Sequence, residues 1–536
     1  MDNKTRVEPI VATKKDPVFI AIILFIALIG LAIRLAPALQ TQFPLNDGGL
    51  FYAMIVDLQG AHYALPLYAA YNHAQIPFAY PPLAFYITGL LAGLLHVSVL
   101  DLVRILPALI STLTIPVFFL LARELITSPL QIVFATFAFA LLPRDFAWGI
   151  MGGGITRSFG MLFAMLTIIF VYRFYNGHQT RHLLGCILLG TLTVLTHPEA
   201  SVHVAISALV FYLWKDRTLK GLLLSLGIAS GVLALTAPWW GLIFSRHGVA
   251  PFLAAMRASG QDSFNPLVGL FIFFRFLFTD EAFLPLLSML GLIGLFASLA
   301  RKQTFLPAWM FILHLIEPRG GTLYMMLPLA MLIGYALDKV VLPALQPKDD
   351  NITNSINVQQ ALENTLRGRT SRYFLLFLFA YSLMSAYVTG QKIKNEFSLQ
   401  PIDKEAFIWV SENTPKEAEF LLVTGQLPLR DAWSEWFPVL TGRHSQGTIF
   451  GYEWVNDGQF GKRVESYEAL QACSYEDATC LDNWNSITDV PYSYVYLWNK
   501  TDPETMALYA YLEHDAAFEL IYQNERNAIF HHQSLQ

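Results

Sequence analysis

The chain has 536 residues, of which 54% are hydrophobic and only 14% charged, with mean hydropathy +0.45 and a formal net charge of −5. That apolar excess excludes an ordinary soluble domain, and the lack of any basic tract or nucleic-acid motif excludes a nucleic-acid partner. Its three cysteines, Cys186, Cys473 and Cys480, show no metal-ligand spacing.

Lys4, Arg6, Lys14 and Lys15 precede an apolar run from Ile20 to Leu35. The run is too long for a signal-peptide core and lacks a clear small-residue cleavage site, so a retained first span is expected. Further apolar runs cover 104–123, 130–147, 156–175, 183–198, 200–214, 221–244, 283–300, 304–316, 322–342 and 373–389. Each is a candidate for a helix that needs about 20 apolar residues to cross a hydrocarbon core. The run 83–96, opened by Tyr80-Pro81-Pro82, is short and reads as a juxtamembrane helix. If it does not cross, Arg123, Arg173, Arg181, Lys215, Arg217, Lys220, Arg301, Lys302, Lys339, Lys348, Arg367, Arg369 and Arg372 all fall in cytoplasmic loops; if it crosses, that bias reverses. The expected fold is therefore a mainly α, polytopic membrane protein of about eleven spans. Residues 1–16 form a cytoplasmic N-terminus, 17–390 the transmembrane domain with a first outer loop at 39–103, and 343–371 a polar cytoplasmic linker.

Residues 391–536 are expected to form an extracytoplasmic α/β domain. From 395 onward they carry 22 acidic against 8 basic residues, a solvated face. Ile402 to Glu412 reads as a helix, Glu419 to Thr424 and Tyr492 to Trp498 as apolar strands, and Phe518–Gln523 with Ala528–His532 as a terminal hairpin. Cys473 and Cys480 are placed to form a disulfide if the domain lies outside the cytoplasm.

In this topology a distinct set of ionisable residues gathers at the outer turns. The first outer loop holds Asp47, Tyr52, Asp57 and Tyr80. The second holds Arg144, Asp145 and Arg157 around Gly152-Gly153-Gly154, the third Thr196-His197-Pro198-Glu199, and the fifth Glu317-Pro318-Arg319-Gly320-Gly321. A carboxylate where a helix leaves the bilayer is costly and is a functional candidate by default. Asp47 is thus the candidate general base, against the alternative of a turn aspartate before two glycines. Arginine's planar fork suits a phosphate. Arg319, Arg144 and Arg157, with His197, are the candidate phosphate-binding residues, and Tyr52, Tyr80 and Glu317 the candidate substrate contacts. For Arg319 the alternative is an ion pair with Glu317 or snorkelling; for His197 it is a helix-end residue that fills a turn. The three glycines cradle an anion at a helix N-terminus or permit close helix packing. Trp433-Ser434-Glu435-Trp436-Phe437-Pro438 either stacks on sugars, anchors at the interface, or forms the outer domain's core. No metal constellation is expected; Asp145 is the candidate acid should a divalent metal bind.

With these residues assembled, the chain resembles the GT-C superfamily of membrane glycosyltransferases, which contains protein O-mannosyltransferases, aminoarabinose transferases and oligosaccharyltransferases. The carriers are Asp47, the Tyr80-Pro81-Pro82 string, Arg104-Ile105-Leu106-Pro107, Leu195-Thr196-His197-Pro198 and the C-terminal soluble domain. The stretch Phe43 to Tyr52 is similar to the Phe-Pro-Leu-x-Asp-Gly-Gly-Leu-Phe-Tyr string of a prokaryotic branch. The resemblance implies an integral membrane transferase that takes a sugar from a polyprenyl-phosphate donor and passes it to a glycan, lipid or protein acceptor on the outer face. It matches the family's first-loop acid to Asp47. Many members carry an adjacent acidic pair there; here Asn46 and Gly48 flank a single acid, and the second loop lacks Asp-x-Asp, which weakens the case for a metal. The alternatives are a transporter or flippase, which should show repeat symmetry, and a non-catalytic subunit of an envelope glycan assembly complex. The sequence has no internal repeat.

Overall fold

A computed structural model describes residues 17–258, 270–271, 273–274, 276, 278–316, 318–346, 358–476, 478–501 and 503–533. The chain folds into an apolar helical part followed by an α/β part. All eleven apolar runs are helical. Among the described residues six helices are long and apolar enough to cross a membrane: α1 (Pro17–Leu39), α4 (Val99–Leu125), α7 (Gly154–Tyr175), α10 (Leu219–His247) and the stretches Gly320–Leu345 and Arg369–Asn413. The run 130–147 is two helices, α5 (Pro129–Leu141) and α6 (Pro143–Ile150), bent by 43° at Leu142; as a single broken span it would make a seventh. Pro143 sets that break, because a residue before proline is pushed to extended backbone. The runs near 183, 286 and 305 are shorter helices, as is α3 (Leu83–Leu95).

Caps move the boundaries. The Ser98 hydroxyl accepts from Asp101 N at 3.0 Å, so α4 starts five residues before the apolar run does. Thr218 caps α10 on Gly221 N at 2.9 Å. His197, extended, caps α9 (Pro198–Lys215) with Pro198 at its first turn, and Nδ1 faces Ala200 N at 3.4 Å. Much of the expected linker 343–371 lies outside the described residues, but Val358–Arg367 is a helix, packed against α1 and α5, rather than a flexible connector.

The first outer loop carries more structure than its sequence suggested. Gly49–Gly60 forms α2, and β1 (Tyr68–Tyr71) pairs antiparallel with β2 (Ala74–Pro77). The hairpin turns at Asn72 and His73, both with left-handed φ (50° and 51°), a two-residue turn that matches strand twist. The Asp57 carboxylate accepts from Ala70 N at 2.7 Å and ties the hairpin to α2.

The C-terminal part is a five-stranded mixed sheet in the order β4-β3-β5-β7-β6: β3 (Glu419–Val423), β4 (His444–Ser445), β5 (Tyr494–Leu497), β6 (Phe518–Gln523) and β7 (Ala528–His532). β3 runs parallel to β4 and β5; β7 runs antiparallel to β5 and β6. Both faces are covered, which is why β3 and β5 read as unbroken apolar runs. Leu421, Val423, Val495, Leu497 and Phe530 pack under Leu470, Trp484 and Leu508, in the core that also holds Cys473, joined by a disulfide to Cys480. The opposite face, with Phe420, Leu422, Tyr496 and Ile529, packs against Phe407 and Phe437. It shares one continuous core with Phe43, Leu50, Met54, Ile76, Phe78 and Phe85 of the first outer loop. The sheet domain is thus welded to the loop that carries Asp47.

Candidate active site

Asp47 sits between α1 and α2, and its neighbours are built to hold a carboxylate. Its Oδ2 accepts from the Arg157 guanidinium at 2.7 Å, and its Oδ1 accepts from Gly153 N at 2.8 Å. Gly152 N donates to Leu45 O at 2.8 Å. A Cβ at Gly152 would stand 2.0 Å from the Asp47 carbonyl oxygen, and one at Gly153 2.6 Å from Oδ2. The glycine string therefore serves both expected roles. It allows close approach, and it offers a backbone N–H to an anion that turns out to be the Asp47 side chain. Gly48 follows at φ 115°, a conformation that costs glycine nothing.

The C-terminal sheet domain closes the other side of this turn. Glu435, on the helix Ala432–Thr441, accepts through Oε1 from Gly48 N at 3.0 Å and Leu50 N at 3.2 Å. Trp436 Nε1 donates to Asn46 O at 2.8 Å, Asn46 N donates to Ser398 Oγ at 2.9 Å, and Tyr71 OH donates to the Glu435 carbonyl at 2.8 Å. Trp433 and Trp436 are fully buried, so the tryptophan string is core and domain contact. Glu435 is 4% exposed, and its Oε2 has no hydrogen-bond partner among the described residues. Burial, then the Asp47 charge, push its carboxyl up to about 8; the Gly48 and Leu50 N–H groups and Arg157 oppose the shift.

These side chains line one cavity of about 830 Å³, within the range of small-molecule sites. Asp47, Tyr80, Arg144, Arg157 and His197 all face it, with Glu199. Three turns that are far apart in sequence thus meet at one place. Tyr80 OH lies 3.2 Å from Thr156 Oγ1, and its ring is edge-on to His197. Arg144 pairs with Asp280 at 3.1 Å. Trp148, which sequence reasoning passed over, lies under Arg157, 5.2 Å from ring centroid to guanidinium carbon, and under Arg430 at 5.8 Å. Arg430, Glu453 and Trp454 come from the C-terminal domain and were equally unflagged; Glu435, from the same domain, stood inside the tryptophan string but had no role of its own there. Only their place in an acidic, tryptophan-rich stretch hinted at them. An apolar wall of Val202, Trp239, Phe252 and Leu323 completes the cavity.

Other candidates fall elsewhere. Tyr52 packs on Trp436, centroids 6.0 Å apart, and does not line the cavity. Asp145 is buried in the field of Arg34, away from the cavity. Glu317 and the Arg319 side chain lie outside the described residues, though the adjacent Gly320 lines the cavity. Among the described residues no three or more His, Cys, Asp or Glu side chains are grouped to hold a metal ion.

Residues 79–241 match the family described as dolichyl-phosphate-mannose-protein mannosyltransferase. No curated protein matches the sequence. Solved structures do match the fold. The archaeal oligosaccharyltransferase AglB from Archaeoglobus fulgidus, in complex with an inhibitory peptide and a dolichol-phosphate, is similar with TM-score 0.54 at 16% identity, over 91% of this chain and 70% of that one. ArnT from Cupriavidus metallidurans, bound to undecaprenyl phosphate, gives 0.53 at 14% identity over 96% and 97%. The arabinofuranosyltransferase AftD from Mycobacteria gives 0.55 at 15% over 95% of this chain and 39% of its own.

Proposed function

We propose that this chain, which has the GT-C fold of those membrane glycosyltransferases, moves a hexosyl or pentosyl unit from a polyprenyl-phosphate donor to a glycan, lipid or protein acceptor. The chemistry takes place at the outer face of the membrane, with the N-terminus in the cytoplasm and the sheet domain outside. The observation that carries the reading is the Asp47–Arg157 pair at 2.7 Å on the wall of a cavity that is part polar and part apolar.

The acceptor hydroxyl attacks the anomeric carbon. The bond from that carbon to the phosphate oxygen breaks, and the phosphate leaves with the electron pair. Asp47 takes the hydroxyl proton, each carboxylate oxygen keeping a free lone pair beside the bond it already accepts. Arg157 holds the carboxylate in place and, with Arg144 and His197, faces the charge growing on the leaving phosphate. The apolar wall of Trp239, Phe252 and Leu323 takes the start of the isoprenoid chain, and Tyr80 lines the sugar's side. We assign the same phosphate-binding role to Arg319, which precedes the cavity-lining Gly320 in sequence and whose side chain lies outside the described residues.

The test is transfer from a set of radiolabelled polyprenyl-phosphate sugars to endogenous acceptors in membranes. Asp47→Asn should lower transfer by about 10²- to 10⁴-fold, and Arg319→Ala should raise KM for the donor. Undiminished transfer in both variants would remove the assignment. Transport of the intact donor across the bilayer without sugar release would favour a flippase.

A further inference from the structure

One guanidinium in the cavity is left over by this chemistry. Arg430 lies on the stretch 424–431, between β3 and the helix Ala432–Thr441. That stretch is pinned rather than loose. Asp431 Oδ2 accepts from Thr424 Oγ1 at 2.6 Å and from Tyr467 OH at 2.8 Å, and Arg430 N donates to Leu427 O at 3.1 Å. Leu429, just before Arg430 and itself lining the cavity, holds a left-handed φ of 57°. That conformation is costly for a non-glycine residue and persists only where its surroundings impose it. The strained turn delivers Arg430 to Trp148, over the same ring as Arg157.

Two guanidiniums within 6 Å of one ring centroid concentrate positive charge that a further anion would lower in energy. Arg157 spends its charge on Asp47 at 2.7 Å, and Arg144 on Asp280 at 3.1 Å. Arg430 makes no ion pair within 4.0 Å among the described residues; it lines the cavity, is exposed, and feels Asp280 only at longer range, a carboxylate already paired with Arg144. A phosphate monoester or diester satisfies this arrangement, since its oxygens can take parallel hydrogen bonds from one guanidinium and still face a second. The apolar wall beside it selects an amphiphile over a free anion.

We propose that Arg430 binds the phosphate of the lipid-linked donor, as the outer domain's own contribution to the donor site. This rests on the function proposed above. The outer domain then does more than meet the acceptor: the phosphate pocket is incomplete until that domain is docked.

The experiment uses full-length protein in nanodiscs of zwitterionic lipid, titrated with radiolabelled undecaprenyl phosphate. Arg430→Ala should weaken binding at least about tenfold, the loss expected for a charge-assisted hydrogen-bonding partner. Arg430→Lys, which keeps the charge and most of the stem, should recover part of that loss. Lys462→Ala, which removes an exposed charge elsewhere in the same domain, should bind as wild type. Wild-type affinity in Arg430→Ala would overturn the inference, as would equal displacement of the probe by phosphatidylglycerol, which would make this a general lipid-phosphate site. Failure of the unaltered protein to bind the probe at all would instead remove the proposed function.

Discussion

Two carboxylates face each other's fields at the centre of this protein, and their surroundings divide the work. Asp47 has a guanidinium and a backbone N–H on its oxygens. Glu435 is buried, beside that charge, with one oxygen unpartnered among the described residues, the setting of a neutral acid. The stability consequence has a definite sign. In the unfolded chain Glu435 gives up its proton near the ordinary value of 4.5; folded, it keeps it to about 8. The folded form therefore holds the extra proton across that window. The contribution is fully present below about 4.5, declines as pH rises, and is lost once pH passes about 8. Glu435→Gln, which keeps the acceptor oxygen for Gly48 and Leu50, should flatten this decline in thermal unfolding measured from pH 5 to 9. Equal slopes in both proteins would show that Glu435 is ionised throughout.

The element scale explains why the glycines matter. Gly152 and Gly153 stand at the entry to α7, and their missing side chains are the space that the Asp47 loop occupies. Gly153→Ala would drive a methyl group into the Asp47–Arg157 pair, with contacts of 2.6 Å and 3.0 Å. It should cost about 1–3 kcal/mol of stability, as overpacking does, and at least about tenfold in transfer. Gly93→Ala, on α3 with nothing within 4 Å of the added carbon, should leave transfer intact and stabilise slightly. Equal activity in the two variants would show that the close approach of loop and helix is not needed. The sequence marked the glycine string and gave two uses for it. What it hid was that the anion in the cradle is part of the protein.

At the scale of the whole molecule, the C-terminal domain and the helical part share one core around the 43–50 turn. Trp436 is the pin: buried, with its indole N–H on the Asn46 carbonyl. Trp436→Phe keeps most of the packing and removes that donor, leaving a buried carbonyl unsatisfied. About 1–3 kcal/mol should be lost. If docking completes the site, transfer should fall while the protein stays folded, and limited proteolysis should cut between residues 391 and 401 faster than in wild type. Unchanged protection and activity would place the coupling elsewhere.

Hydrophobic runs, prolines and glycines stood in the sequence itself, because a helix in lipid or a strand between two covered faces must be apolar along its own length. The helical character of all eleven runs, the strands at 419–423 and 494–497 and the hairpin 518–532 could be read that way. The sequence also singles out Asp47, because a charge at a span's end is costly, and it does line the cavity. Arg430 and Trp148 could not be read that way, and Glu435, though inside the distinctive tryptophan string, carried no sign of its partner. The packing of Trp436 and Phe437 against residues 43–85 brings Glu435 and Arg430 to Asp47. Local pattern records what each segment does alone; a site shared by two domains exists only where long-range burial closes them together.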